Sequence, residues 1–234
     1  MERYGLKTLP EAVQSSPSGL RSVKMNNTES TIFIIDDDNS VRRSLSLFLL
    51  ANDYTVETYS SSEEYLEREP FSGKGCILLD VNMEGISGLE LQEELIRLDT
   101  HLPIIFITGG GNIQMSVQTL KKGAFNFLEK PFDNEELLNS VSDALILCQK
   151  TREEKEETKN AKKLIDSLTP RELEILKYLI TGMLNKQIAC ELDIVEHTVK
   201  LHRHSICEKL GVKSVPEIIH IAGKAGIIPF SNKY

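Results

Sequence analysis

The chain has 234 residues, 40% of them hydrophobic and 26% charged, the composition of an ordinary folded protein and not of a disordered or collagen-like one. Trp is absent, and no apolar run approaches the roughly 20 residues that a membrane helix needs, so a membrane span is excluded. The net charge of −8 hides two unlike parts: residues 167–234 carry +2 and the rest −10, so a mildly basic segment follows an acidic body.

Residues 1–30 hold Ser15-Ser16-Pro17-Ser18-Gly19 and Asn26-Asn27-Thr28 without a sustained period and read as a flexible N-terminal extension with no assigned function. The start lacks the apolar core of a secretory signal, so the expected location is the cytoplasm. Cys76, Cys148, Cys190 and Cys207 form no Cys-x-x-Cys, and neither a disulfide framework nor a zinc site is expected.

Between Thr31 and Lys150 short apolar runs alternate with helical patterns, the signature of a parallel sheet wrapped by helices. Strands are expected at Thr31–Ile35, Thr55–Thr58, Cys76–Leu79, Pro103–Ile107 and Ala124–Leu128, each followed by a helix. The first helix carries Val41, Leu45, Phe48 and Leu49 as one apolar stripe behind Asp38-Asn39-Ser40, with Asp38 read as its cap. The last begins after Pro131 and runs through Leu137, Leu138, Val141 and Leu145.

Open parallel sheets bind ligands beyond the carboxyl ends of their strands. Here those ends carry Asp36 and Asp37, then Asp80, then Thr108, then Lys130. Three carboxylates with backbone oxygens suit Mg²⁺, a hard cation, while a hydroxyl and an ammonium complete a pocket for a phosphoryl group. An aspartate in such a pocket can take phosphate as an acyl phosphate, with the cations neutralising the transferring oxygens.

Lys150 to Lys163 is almost wholly charged or polar and reads as a solvated helix or linker. Thr169-Pro170-Arg171-Glu172 is a strong helix start: a Thr cap, Pro in the first helical position and Glu three residues after the cap. Leu173, Leu176, Leu179 and Ile180 follow as an apolar stripe that Gly182 ends. A short helix at Asn185–Leu192, a turn at Asp193-Ile194 and a third helix from about Glu196 to Leu210 then suggest helix-turn-helix. On the third helix Val199, Ile206 and Leu210 share a core face. His197, Leu201, His204 and Glu208 lie opposite, flanked by Lys200 and Ser205, a mix suited to thymine methyls and base edges.

Two resemblances rest on these residues. Ile34-Ile35-Asp36-Asp37-Asp38, Leu78-Leu79-Asp80-Val81-Asn82-Met83, Ile107-Thr108-Gly109 and Phe127-Leu128-Glu129-Lys130-Pro131-Phe132 resemble the receiver domain of bacterial two-component response regulators. Leu168 to Leu176, Asn185-Lys186-Gln187-Ile188-Ala189, Thr198 to Arg203 and Lys209 to Ser214 resemble the LuxR-type DNA-binding domain, so the whole is similar to the NarL/FixJ response regulators. The resemblance implies a flavodoxin-like, doubly wound α/β domain with a five-stranded parallel sheet at 31–149, a charged helical linker at 150–166, and a small all-α helix-turn-helix domain at 167–234. It implies that Asp80 accepts phosphate from a sensor histidine kinase and that Asp36, Asp37 and Asp80 hold Mg²⁺ with the Asn82 backbone carbonyl. Thr108, Lys130 and Phe127 match the switch residues of the family.

By the same pattern Lys200, Leu201 and His204 face bases, while Lys186, Thr198, His202 and Arg203 are phosphate-contact or supporting residues. The implied partners are promoter DNA, the kinase, and a second copy joined on phosphorylation through the surface of the fourth helix and fifth strand; RNA polymerase is a further candidate, and no membrane is implied. The chain is read as a switch and not an enzyme, with slow autodephosphorylation allowed. Departures from the pattern are Glu84 in place of Pro, the loose Gly109-Gly110-Gly111 loop, and Val195 where Ser or Thr caps the recognition helix. Two other readings stay open: a DNA-binding regulator whose receiver ignores phosphate, and an aspartyl-phosphate hydrolase built on Asp36-Asp37-Asp38.

Overall fold

In a computed structural model, residues 30–110 and 120–230 are described. The first part is a five-stranded, all-parallel sheet in the order β2-β1-β3-β4-β5, made of β1 (Ser30–Ile35), β2 (Thr55–Tyr59), β3 (Lys74–Asp80), β4 (Ile104–Thr108) and β5 (Asn126–Glu129). Chain order reverses between β1 and β3, the neighbouring strands at which such a sheet offers its ligand crevice. β1, β3 and β4 are buried along their whole length apart from the half-buried Lys74, which explains their unbroken apolar runs.

The connecting helices are α1 (Asn39–Leu50), α2 (Ser62–Leu66), α3 (Gly88–Arg97) and α4 (Asn134–Asp166). α1 and the first half of α4 cover one face, where Leu45, Leu49, Leu137, Val141 and Leu145 meet Ile32, Ile34, Leu78 and Ile105. Tyr65, Leu91 and Leu95 of α2 and α3 cover the other, against Phe33, Ile77, Leu79 and Phe106. The sequence pattern places β5 two residues too early and stops β3 and β4 one residue short, so Asp80 and Thr108 are the last residues of their strands and not the first beyond them. The helix expected between β4 and β5, with Gly111, falls mostly on 111–119, and the N-terminal extension on 1–29; both calls lie outside the described residues.

α4 does not stop at residue 149. It runs unbroken for 33 residues, about 50 Å, from the Asp133 cap to Asp166. Its first half is buried on the sheet, its charged middle is largely exposed, and Ile165 near its end belongs to the core of the second part. That core joins α5 (Pro170–Leu179), α6 (Asn185–Glu191), α7 (Glu196–Leu210) and α8 (Val215–Lys224) through Ile175, Leu176, Leu179, Ile188, Val199, Ile206, Leu210 and Ile218. Ile175 is fully buried, whereas Leu173 and Ile180 of the sequence stripe are only partly so.

Candidate functional site

At the carboxyl edge of the sheet the expected side chains come together around one ammonium. Asp36 follows β1 and Asp80 ends β3, and the Lys130 Nζ donates to Asp36 Oδ2 and Asp80 Oδ1, both at 2.8 Å. The two carboxylates are buried and the lysine is half-buried. Their second oxygens accept from the backbone: Asp36 Oδ1 from Asp38 N–H at 2.9 Å and Asp80 Oδ2 from Asn82 N–H at 2.7 Å. Arg42 of α1 donates from Nη1 to the Asp36 carbonyl at 2.5 Å. Asp38 caps α1, accepting from Ser40 N–H at 2.7 Å, as its position in the sequence indicates.

Thr108 is fully buried at the end of β4; its carbonyl accepts from Lys130 N–H at 2.7 Å, which ties the lysine's backbone beside it. Its hydroxyl oxygen accepts a long 3.4 Å bond from Gly110 N–H. A Cβ at Gly109 or Gly110 would meet nothing within 4 Å, so neither glycine is demanded by crowding. Gly88 is different and was not singled out in the sequence: a Cβ there would stand 2.1 Å from the Asp80 carbonyl oxygen, so only glycine lets α3 start against the end of β3. The loop between them is held from α2, by Ser62 Oγ donating to the Ile86 carbonyl at 2.8 Å and Ile86 N–H donating to Glu63 at 3.1 Å. Phe127 is half-buried against the β4 side of the sheet.

Burial pushes the Asp80 carboxyl above the usual carboxylate range, which Lys130 and the Asn82 N–H only partly offset. Burial also opposes the Lys130 charge, but Asp36 and Asp80 outweigh it and hold that ammonium above the ordinary lysine value. In kind, the donors suit a hard divalent cation: carboxylate and carbonyl oxygens alone. Among the described residues, however, no three acidic, histidine or cysteine side chains stand as a ready-made cage. Asp36 and Asp80 are each engaged by Lys130, and the exposed Asp37 turns one oxygen to Glu84 N–H at 3.2 Å. Mg²⁺ would therefore share these carboxylates with Lys130. Glu84, the departure from Pro, supplies to Asp37 an N–H that proline lacks.

The second cluster lies on α7. Lys200, Leu201 and His204 are exposed on one face, with Leu201 57% accessible, an apolar side chain that the core does not use. Lys200 pairs with Glu196 at 2.9 Å and His204 approaches Glu208 at 3.5 Å, both within the helix. Lys186 is exposed on α6, and Thr198 and His202 are half-buried. Arg203 is half-buried and donates to Asn185 Oδ1 at 3.2 Å, which joins α7 to the start of α6. Ser205 does not flank the exposed face as its position on the helical wheel suggests. Its hydroxyl donates to Glu172 Oε1 at 2.6 Å, and Lys209 donates to Glu172 Oε2 at 2.6 Å.

Glu172, read in the sequence as a capping residue, thus also anchors the recognition helix. Burial works against its charge, but Lys209, Ser205 and the Thr169 N–H outweigh it and hold its pKa down to about 2. Val195, before α7, makes no side-chain cap. All four cysteines are free thiols, and among the described residues no helix is long and apolar enough to cross a membrane.

Comparison with known proteins places each cluster within a matched domain. Residues 32–142 match the response regulator receiver domain and residues 166–222 the bacterial regulatory proteins of the luxR family. The response regulator protein TmoT of Ectopseudomonas mendocina is 41% identical over 88% of this chain and 93% of its own length. The transcriptional regulatory protein TdiR of Thauera aromatica is 39% identical over 86% and 88%. The solved response regulator StyR is 42% identical, covers 84% of this chain and 99% of its own, and superposes with a TM-score of 0.75. The acidic edge of the sheet and the exposed helix therefore belong to one kind of molecule: this chain is a member of the response regulators that join a receiver domain to a LuxR-type helix-turn-helix and regulate transcription, a family of regulators and not of enzymes.

Proposed function

We propose that Asp80 is the phosphoacceptor and that its phosphorylation controls promoter binding by pairing two copies of the chain. An Asp80 carboxylate oxygen attacks the phosphorus of a phosphohistidine on a sensor kinase. The new O–P bond forms as the N–P bond breaks, and the departing imidazole nitrogen takes a proton from water. Asp36, Asp37 and Asp80, with the Asn82 carbonyl, would hold Mg²⁺, which when bound neutralises charge on the phosphoryl oxygens. Lys130 supplies a second cation within reach of the acceptor, and Thr108 a hydroxyl for the phosphoryl group. The acyl phosphate carries roughly −1.5 to −2 charges in place of the carboxylate's −1, which draws Thr108 and Lys130 toward it, with Phe127 following.

Residues 31–149 act as the receiver, 150–166 as a spacer within α4, and 167–234 as the DNA-binding domain, in the cytoplasm. Lys200, Leu201 and His204 read base edges; Lys186, Thr198 and His202 contact or support the phosphate side, and Arg203 braces α6. The bound dimer meets RNA polymerase as a further partner, and the phosphoryl group is lost by slow autodephosphorylation. The observation that carries this reading is the Lys130 ammonium bridging Asp36 and Asp80 at the sheet's switch point. Incubation with Mg²⁺ and a small acyl phosphate tests it: wild type gains one phosphoryl mass and shifts toward dimer on sizing, and Asp80→Ala does neither. An equal adduct on Asp80→Ala would move the acceptor elsewhere; no adduct from acyl phosphate or kinase would favour a phosphate-blind regulator.

A further inference from the structure

Two bonds to one residue tie α2 to the loop that borders Asp80. Ser62, fully buried, donates its hydroxyl to the Ile86 carbonyl at 2.8 Å, and Glu63 Oε1 accepts from the Ile86 N–H at 3.1 Å. Both backbone groups of Ile86 are thus held by adjacent side chains of one short helix. We propose that this grip positions the loop 81–87 for the divalent cation of the acidic edge, with Ser62 and Glu63 as positioning residues that act through the loop. The proposal rests on the reading of that edge as a Mg²⁺ site and adds to it two residues that set its affinity.

The grip is anchored in the core at one end. Tyr65, in the same turn of α2, is 1% exposed and packs edge-on against Phe33 with ring centroids 5.7 Å apart. Ser61 caps the helix, accepting from the Glu64 N–H at 3.2 Å, and Glu64 accepts in turn from the Ser60 N–H at 2.7 Å. At the other end the loop holds the acidic edge itself. Asn82 N–H donates to Asp80 Oδ2 at 2.7 Å, and Glu84 N–H donates to Asp37 Oδ2 at 3.2 Å. Between these bonds and Ile86 stands Gly85, with φ +79° and no room for a Cβ, which would meet Glu63 Oε1 at 2.7 Å. The Glu63 carboxyl is held below the usual carboxylate range by its own N–H and that of Ile86, so the acceptor is charged at neutral pH. A loop fixed at Ile86 keeps Asn82 and Glu84 beside Asp80 and Asp37. Side chains standing behind metal ligands in this way characteristically govern about 10- to 100-fold in affinity.

Full-length protein is titrated with Mn²⁺, a hard cation that shares the preference of Mg²⁺ for oxygen and whose free form is counted by electron paramagnetic resonance. The double variant Ser62→Ala, Glu63→Ala is expected to raise the dissociation constant about tenfold, and Glu63→Ala alone about threefold. Glu63→Gln keeps an oxygen for the Ile86 N–H and is expected to stay within about twofold of wild type. With Mg²⁺ and a small acyl phosphate, the double variant is expected to need about tenfold more Mg²⁺ for half-maximal phosphorylation. If the double variant does not fold, Glu63→Ala, at an exposed position, decides the matter. Equal weakening by Gln and by Ala would make lost charge the cause and overturn the grip. Unchanged affinity in every α2 variant, with Asp37→Ala weakened, would overturn the grip alone. Wild type that takes up no Mn²⁺, or binding left intact by Asp37→Ala, would overturn the metal-site reading together with it.

Discussion

Lys130 is 2.8 Å from Asp36 and 2.8 Å from Asp80, so a single ammonium balances two buried carboxylates at the ends of neighbouring strands. Removing it would leave two anions facing each other at low dielectric. Lys130→Met is expected to cost about 3 kcal/mol at pH 7, the scale for a buried pair stripped of one partner. The sign with pH follows. Burial already raises the Asp80 pKa in the folded state, and loss of Lys130 raises it further, so the folded variant takes up protons more readily than its unfolded chain and gains stability as pH falls. Denaturant titrations at pH 7 and pH 5 should show the deficit shrinking at the lower pH. A deficit equal at both would mean that lost packing, and not charge, sets it.

Glu172 gives the opposite dependence in the other domain. Its folded pKa of about 2 lies below the ordinary 4.5, so its contribution is fully present above pH 4.5 and is lost as pH falls toward 2. Glu172→Gln keeps the shape but weakens the bonds to Lys209 and Ser205, at a cost of about 2 kcal/mol at neutral pH. The variant should lack the acid-dependent loss of the wild type between those values. Thermal unfolding of the C-terminal transition across that range measures it, and parallel curves would reject the assignment.

The receiver sheet was legible because β1, β3 and β4 are short apolar runs that end at or beside Asp36, Asp80 and Thr108, so the acidic edge could be placed from the sequence alone. The ends of β3, β4 and β5 slipped because Asp80 and Thr108 continue the ladder while polar, and hydrophobicity cannot mark that. The linker at 150–166 is helical as expected, but its continuity with the receiver's last helix was not legible because Lys150 to Lys163 has no apolar stripe; α4 is anchored by packing at its two ends. Glu172 caps α5 as its position indicates, but its second role was missed, and Ser205 misplaced, for a related reason. A helical wheel gives a direction on one helix, and the partner that draws Ser205 inward sits on another. Gly88 needed the position of the Asp80 carbonyl, which no local pattern contains.

Val195 precedes α7 with φ −77° and no side-chain bond to the first turn, and it is 67% exposed. A Ser or Asp there would accept from an otherwise unpaired helix N–H. Val195→Ser is therefore expected to stabilise the C-terminal domain by about 1 kcal/mol, or about 4–8 °C in Tm. Calorimetry of the full chain would resolve it, and an unchanged or lower Tm would show that the Val195 side chain contributes packing that exceeds a cap.

The face of α7 proposed to read DNA is open in this conformation: Leu201 is 57% accessible, and the Lys200 and His204 side chains 58% and 74%. The rod of α4 separates the last receiver-core residue, Cys148, from Ile165 of the second core by about 25 Å. On the proposed function, phosphorylation of Asp80 has nothing to uncover on this face and acts on DNA through pairing. Pairing turns the second half-site contact into an intramolecular event, worth about 10²-fold or more in affinity when the spacing fits. Phosphorylated and unphosphorylated protein, their states verified by mass, should bind a single half-site duplex within twofold of each other. A duplex with two half-sites about 34–36 Å apart should favour the phosphorylated form by that larger factor. A tenfold gain on the single half-site would instead mean that the receiver restrains α7 before phosphorylation, and the open face described here would not be the resting arrangement in solution.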